Sequence, residues 1–186
     1  MAVFARWHEE AAGQMADPDG AALATASPDG VPSVRFVLIR GIGSDGVRFF
    51  TNYDSRKGVE LAANPHAAVA WFAWPVRRQV RIEGTVTVLS PAASDDYFAH
   101  RDRGHQIGAH ASRQSRPLAD RAELESAYAT AAAKFEGAEV PRPTRWGGYV
   151  LAPTSVELWM QRDDRLHDRF AYRRDGAGWT AVRLAP

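Results

Sequence analysis

The sequence predicts a mainly β protein of the α+β kind, with one closed or nearly closed sheet and its helices outside. Three observations carry this reading. Short β-rich runs separated by turn signals begin at Ala21, an alanine-rich helical stretch follows them, and strands return after Pro141-Arg142-Pro143. No repeat, low-complexity tract or interdomain linker divides the 186 residues. They are expected to form a single domain: an N-terminal helix in 1–20, barrel strands in 21–89, a helical segment in 90–137 and C-terminal strands in 146–186.

Phe4, Trp7, His8, Ala11, Ala12 and Met15 recur at helical spacing and predict an amphipathic first helix that ends before Asp17-Pro18-Asp19-Gly20. Strands are expected at Ala21–Ser27, Pro32–Arg40, Val47–Thr51, Ala67–Trp74 and Arg78–Leu89. Pro28-Asp29-Gly30 and Ser44-Asp45-Gly46 supply the hairpin turns between the first three. Ser55 is placed to cap a helix over Arg56–Asn64, and Ser90-Pro91 opens another towards Arg101. Gly104–Pro117 reads as the longest irregular stretch, and Asp120–Phe135 as a helix by propensity. Four strands close the chain, at Gly148–Ala152, Ser155–Met160, Arg169–Arg173 and Thr180–Leu184, the last pair joined by a turn at Asp175-Gly176-Ala177-Gly178.

A hydrophobic content of 45% is enough for one sizeable core, and the absence of cysteine removes disulfides and thiol chemistry together. The reducing cytosol is the compartment this composition fits most easily. The longest uncharged apolar stretch, Ala67–Val76, is too short to span a bilayer. A net charge of +1 argues against a general nucleic-acid coat. The six histidines lack metal-ligand spacing, so no metal is assigned, and Gly41-Ile42-Gly43 lacks the third glycine of a dinucleotide fingerprint.

Thr51-Asn52-Tyr53-Asp54-Ser55-Arg56-Lys57-Gly58 puts two cations in the first turn of a helix, where the macrodipole disfavours each by about 0.3–1 kcal/mol. An anion bound by that helix end would reverse the cost; a solvated basic turn is the equal alternative. Arg35 and Arg40 flank Phe36-Val37-Leu38-Ile39 and point to opposite faces of a regular strand. Gln79, Arg81 and Glu83 share one face, and a glutamine amide there can both donate and accept, as the edge of a flavin requires. Tyr97 and Arg101 lie four apart on one helix face, with Arg103, His105, His110, Gln114 and Ser115 following. Past Trp159, alternation would set Arg165, His167 and Arg169 on one side, an arrangement that is costly without an anion.

Arg56-Lys57, the strand Gln79-Val80-Arg81-Ile82-Glu83-Gly84, Gln106-Ile107-Gly108-Ala109, Gln114-Ser115, Trp146-Gly147-Gly148-Tyr149 and Arg165-Leu166-His167-Asp168-Arg169 occur in one order along the chain. Together they resemble the pyridoxine/pyridoxamine 5'-phosphate oxidase family, from about Ala21 to the C-terminus. The resemblance implies an FMN-binding split β-barrel with peripheral helices, working as a homodimer with FMN at the interface. It implies FMN contacts from Arg35, Phe36, Val37, Leu38, Ile39, Arg40, Phe50, Thr51, Arg56, Lys57, Gln79, Gln114, Ser115, Trp159 and Arg169. The phosphate falls to Arg56 and Lys57. It implies a substrate site of Arg40, Tyr97, Arg101 and His105 around an anionic group, with Arg165 and His167 as the catalytic pair beside the ring.

The activity implied is oxidation of pyridoxine or pyridoxamine 5'-phosphate to pyridoxal 5'-phosphate, with hydride passing to the flavin and dioxygen becoming hydrogen peroxide. Arg40 stands where the family usually has lysine and His105 where it usually has serine, and a planar guanidinium does not replace a compact ammonium without consequence. Those departures motivate a second expectation, an FMN-dependent oxidase of a reduced aromatic or heterocyclic intermediate of the phenazine type. A third, from another class, is a non-catalytic flavin or pyridoxal-phosphate binding module.

Overall fold

A computed structural model describes residues 1–186. Helix α1 (Ala2–Ala12) leads into β1 (Gly20–Ala26), β2 (Pro32–Leu38), β3 (Gly41–Gly43) and β4 (Gly46–Asn52). Helix α2 (Arg56–Ala63) precedes β5 (His66–Ala73) and β6 (Arg78–Val88). Helices α3 (Pro91–Ala99), α4 (Arg103–Ala111) and α5 (Arg121–Lys134) follow. The chain closes with β7 (Trp146–Met160), a 3-10 turn at Asp163–Arg165, β8 (Asp168–Asp175) and β9 (Gly178–Leu184). No helix is long and apolar enough to cross a membrane.

All nine strands belong to one antiparallel sheet ordered β2-β1-β5-β6-β7-β4-β3, with β8 and β9 continuing from β7. Strand alternation decides which face is core. Ala21, Leu23 and Thr25 of β1 and Ala67, Val69, Trp71 and Ala73 of β5 point inward and are buried, joined by Val80, Ile82, Phe49 and Leu151. Phe4, Trp7 and Ala11 of α1 pack on that inner face, as the helical spacing predicts. A second, smaller core of Phe98, Ile107, Ala131, Phe135, Val140 and Trp146 joins α3, α4 and α5 to the start of β7.

The opposite face of β1, β2 and β5 is small-residued and apolar. Ala22 pairs with Phe36 and Ala70, and Ala24 with Val34 and Ala68. Phe36 is 80% exposed and Val34 69%, with Phe72 and Trp74 also in solvent beyond them. Exposed aromatic surface on this scale marks an association face.

β7 forms one strand where two were expected. Its whole edge from Tyr149 to Met160 pairs with β6, while its other edge meets β4 through Trp146–Leu151 and β8 through Ser155–Met160. The change of partner coincides with a register shift at Glu83/Gly84, opposite Pro153 and Ser155, that leaves Thr154 unpaired in the ladder. A bulge of this kind bends the strand. A β-carbon on Gly84 would collide with the Ala152 carbonyl, so only glycine admits the bend.

Two further expectations change. Gly104–Pro117 is mostly helix: α4 is held by Ile107 in the second core and by Gln106, whose Nε2 donates to the Phe98 carbonyl at 2.9 Å, although Gly104 and Gly108 weaken its propensity. The 3-10 turn at Asp163–Arg165 breaks the alternation expected of Arg165, His167 and Arg169. Substituting Gly84→Ala is expected to cost about 3 kcal/mol through the clash with Ala152. Urea unfolding of the variant against the parent measures it.

Candidate functional site

Ser55 caps α2, its hydroxyl accepting from Gly58 N at 3.3 Å, and this fixes the first turn against the end of β4. Lys57 points inward from that turn and is only 7% exposed. Its Nζ donates to Gln114 Oε1 at 2.8 Å, Thr51 Oγ1 at 3.1 Å and Ser55 Oγ at 3.3 Å, all neutral oxygens. Burial, aided by the Arg35 charge and opposed by Glu60, pushes its pKa down to about 8. Thr51 also donates to Gln114 Oε1, at 3.0 Å, so an amide oxygen sits where an ammonium and a hydroxyl converge. Such a corner has the donors to hold an anionic oxygen.

The neighbouring arginines are compensated. Glu60 is 6% exposed and accepts from Arg56 Nε at 2.9 Å, Ser33 at 2.6 Å, Thr25 and, at 3.4 Å, Arg35. Arg35 also donates to the Leu23 carbonyl at 3.2 Å and to Thr25 at 2.5 Å. Burial raises the Glu60 pKa, and the hydrogen bonds with the Arg35 charge overcome it, bringing it down to about 2. Arg35 and Arg56 therefore form the charged floor behind the corner, and Lys57 is the cation left without a carboxylate.

Lys57, Thr51 and Gln114 open onto a cleft of about 710 Å³ that Phe36, Val37, Leu38, Arg40, Phe50, Tyr97, Arg101, His105 and Trp146 also line. Phe50 stacks on Tyr97 with ring centroids 3.8 Å apart, and on Trp146 at 5.6 Å. Arg101 lies over the Trp146 ring, 4.7 Å from its centroid, with Nη1 buried and unpartnered. Desolvation lowers its pKa, and the Arg40 charge adds to that, while Tyr97 and Asp102 oppose. His105 is exposed, 3.6 Å from Asp102. The cleft thus holds two cations, Lys57 and Arg101, that no side-chain carboxylate contacts, and an aromatic wall of Phe50, Tyr97 and Trp146.

Gln79, Trp159, Arg165, His167 and Arg169 do not line this cleft. Gln79 pairs with Trp159 and Trp159 with Arg169, so the three form a row across β6, β7 and β8 on the face opposite the core. His167 joins the row through its ring, 4.7 Å from that of Trp159, and Arg165 is exposed with φ of 61°. Acids answer part of the charge here: Arg169 Nε and Nη2 donate to Glu157 at 2.9 and 3.2 Å, and Asp168 takes Arg162 and Arg183. The expectation of an uncompensated cationic face fails at Arg169, because Glu157 lies beside it across the ladder, whereas no acid pairs with Arg165 or His167. Ile39 is buried in the core and Ser115 is exposed in a left-handed backbone, and neither lines the cleft. Glu60 and Asp19, to which the sequence reading gave no role, and Trp146, quoted there only within the Trp146-Gly147-Gly148-Tyr149 motif, shape the site.

Glu60 also sets a pH dependence. A carboxylate held at about 2 instead of 4.5 contributes stability that is fully present above pH 4.5 and is lost as pH falls towards 2. In Glu60→Gln the acid limb of the stability curve between those values should flatten, as read from denaturant midpoints across pH.

Residues 8–135 match the family described as pyridoxamine 5'-phosphate oxidase, and residues 146–186 match the pyridoxine 5'-phosphate oxidase C-terminal dimerisation region. The chain is 50% identical over 187 aligned positions to a pyridoxine/pyridoxamine 5'-phosphate oxidase of Sphingopyxis alaskensis, covering all of this chain and 87% of that one. It is 49% identical to the Rhodospirillum rubrum protein of the same name, covering all of this chain and 95% of the relative. Among solved structures, PhzG from Burkholderia lata 383, in complex with tetrahydrophenazine-1-carboxylic acid, is 34% identical with a TM-score of 0.94, covering 100% of this chain and 91% of that chain. An FMN binding protein from Nostoc punctiforme shares the fold at 18% identity and a TM-score of 0.79, over 98% of this chain and 96% of that one. The chain therefore belongs to the pyridoxamine 5'-phosphate oxidase family of FMN-dependent oxidoreductases, homodimeric split β-barrels.

Proposed function

We propose that the protein oxidises pyridoxine 5'-phosphate or pyridoxamine 5'-phosphate to pyridoxal 5'-phosphate at a site holding FMN, with dioxygen reduced to hydrogen peroxide. The observation that carries this reading is the pair of uncompensated cations, Lys57 and Arg101, in one aromatic-walled cleft. Two anionic groups must be held, the phosphate of the cofactor and that of the substrate. Residues 1–186 would act as one FMN-binding domain, and a cysteine-free chain is at home in the cytoplasm.

Lys57, Thr51 and Gln114, backed by Arg35, Arg56 and Ser115, would hold the cofactor phosphate. Phe36, Val37, Leu38, Arg40 and Phe50 would line the ring system, with Ile39 anchoring that segment in the core. Bound FMN supplies a two-electron acceptor that dioxygen can reoxidise. Arg101, Tyr97, His105 and Arg40 would hold the substrate's anionic group, and the cleft walls would keep the substrate ring in register with the flavin.

Gln79, Trp159, Arg169 and the catalytic pair Arg165 and His167 would come from the second subunit, completing a site that lies across the interface. Two observations support this. These residues stand outside their own chain's cleft, and all but Gln79 fall in the segment matching the dimerisation region. Arg165 and His167 would then orient the carbon to be oxidised, with the imidazole and guanidinium as hydrogen-bond donors.

The likeness to PhzG, with Arg40 and His105 in the cleft, favours a reduced phenazine-type ring as the second reading. The higher identity to the curated pyridoxine/pyridoxamine 5'-phosphate oxidases favours the vitamer. Peroxide release by the flavin-loaded protein, with each B6 vitamer phosphate supplied separately, decides between them. Turnover at micromolar substrate is expected; a flavin-replete protein that ignores both vitamers overturns the proposal.

Lys57 gives flavin binding a pH signature. The free protein loses this charge as pH rises through about 8, whereas a bound phosphate keeps the proton on the amine. FMN affinity is therefore full below that value and falls above it, by up to about tenfold per pH unit. Fluorescence titration with FMN should show this slope in the parent and lose it in Lys57→Met.

A further inference from the structure

Arg40 lies on the wall between two cavities, the large cleft and a smaller one of about 360 Å³ lined by Ala5, His8, Asp19, Ile39, Gly41 and Ile42. Behind it, Asp19 Oδ2 accepts from Arg40 Nη1 at 2.6 Å. The other oxygen, Oδ1, lies 3.1 Å from His8 Nε2 of α1, a contact too poorly aligned to count as a hydrogen bond. Asp19 cannot drift. Its carbonyl accepts from Ile39 N at 2.8 Å, one residue before Arg40, and the preceding Pro18 carbonyl accepts from Trp71 Nε1 at 2.7 Å. His8 in turn packs against Trp71, ring centroids 5.9 Å apart.

We propose that Asp19 is a positioning residue for anion recognition: by holding Nη1 of Arg40 it presents the opposite Nε–Nη2 edge of the guanidinium to the cleft, beside Arg101. Guanidinium binds carboxylate or phosphate best through two parallel N–H groups, and fixing one nitrogen orients the remaining edge before ligand arrives. A lysine in that position would have no second edge to be set, so Asp19 and Arg40 form one unit. Helix α1 contributes through His8, which faces the same carboxylate. The inference rests on reading the cleft as an anion site and extends it to a residue outside the cleft.

The test uses the FMN-loaded protein and inorganic phosphate as the probe, with binding measured by calorimetry in the parent, Asp19→Asn, Arg40→Ala and the double variant. Asp19→Asn is expected to weaken phosphate about tenfold, and to add nothing in the Arg40→Ala background. With a vitamer phosphate as substrate, the loss should fall on KM more than on kcat, while flavin retention and Tm stay near the parent's. Restoring the carboxylate in Asp19→Glu should recover part of the affinity. Tighter phosphate binding in Asp19→Asn would mean that the carboxylate competes with the ligand, and additive losses in the double variant would mean a general structural role. Either result, or a parent that binds no phosphate, overturns the inference. A parent that binds phosphate but turns over no vitamer sinks the proposed substrate alone.

Discussion

β7 serves more partners than an ordinary strand, and the site depends on the bend that lets it do so. One edge runs beside β6 from Tyr149 to Met160, interrupted only by the bulge at Thr154, while the other gives its first half to β4 and its second to β8. β4 carries Phe50 and Thr51 into the cleft, and β8 carries Arg169 away from it. The unpaired Thr154 and the bare backbone of Gly84 thus decide that one chain holds two separate halves of the predicted residue set. A flat sheet would have paired β7 with one neighbour throughout and left no reason for the halves to diverge.

Charge in the first half is arranged by subtraction. Five positive side chains, Arg35, Arg40, Arg56, Lys57 and Arg101, stand on or behind the cleft; the buried carboxylate of Glu60 engages Arg35 and Arg56, and Asp19 engages Arg40. Lys57 then keeps only neutral oxygens, one of them from the exposed Gln114. An anion entering this corner would exchange places with an amide oxygen and would not have to strip the ammonium of water, because Lys57 is already desolvated by folding.

Much of this was legible in the residues. Turn signals and alternation located the β1–β2 hairpin and the turn before β4, though not the short β3 that this turn joins to it, and the Ser55 cap was readable because capping is local chemistry between a hydroxyl and an amide three residues on. The two cations of the first turn of α2 were readable for the same reason. What escaped was non-local. α4 contains two glycines and forms because Gln106 and Ile107 find partners in α3 and the second core, which no window around residue 106 reveals. The compensation of Arg169 needs Glu157 across a ladder, and the fixing of Arg40 needs Asp19, 21 positions earlier. Alternation past Trp159 failed because Asp163–Arg165 turns where a strand was assumed.

The exposed face that carries Val34 and Phe36 has a consequence for how the protein behaves as its amount changes. The family is homodimeric, and where a second subunit covers apolar surface of this kind the free energy gained enters the folding equilibrium through mass action. Folding strength is then a property of the solution as well as of the chain: at high dilution the protein loses its second subunit's share of the stability, and its melting point drifts downward with concentration.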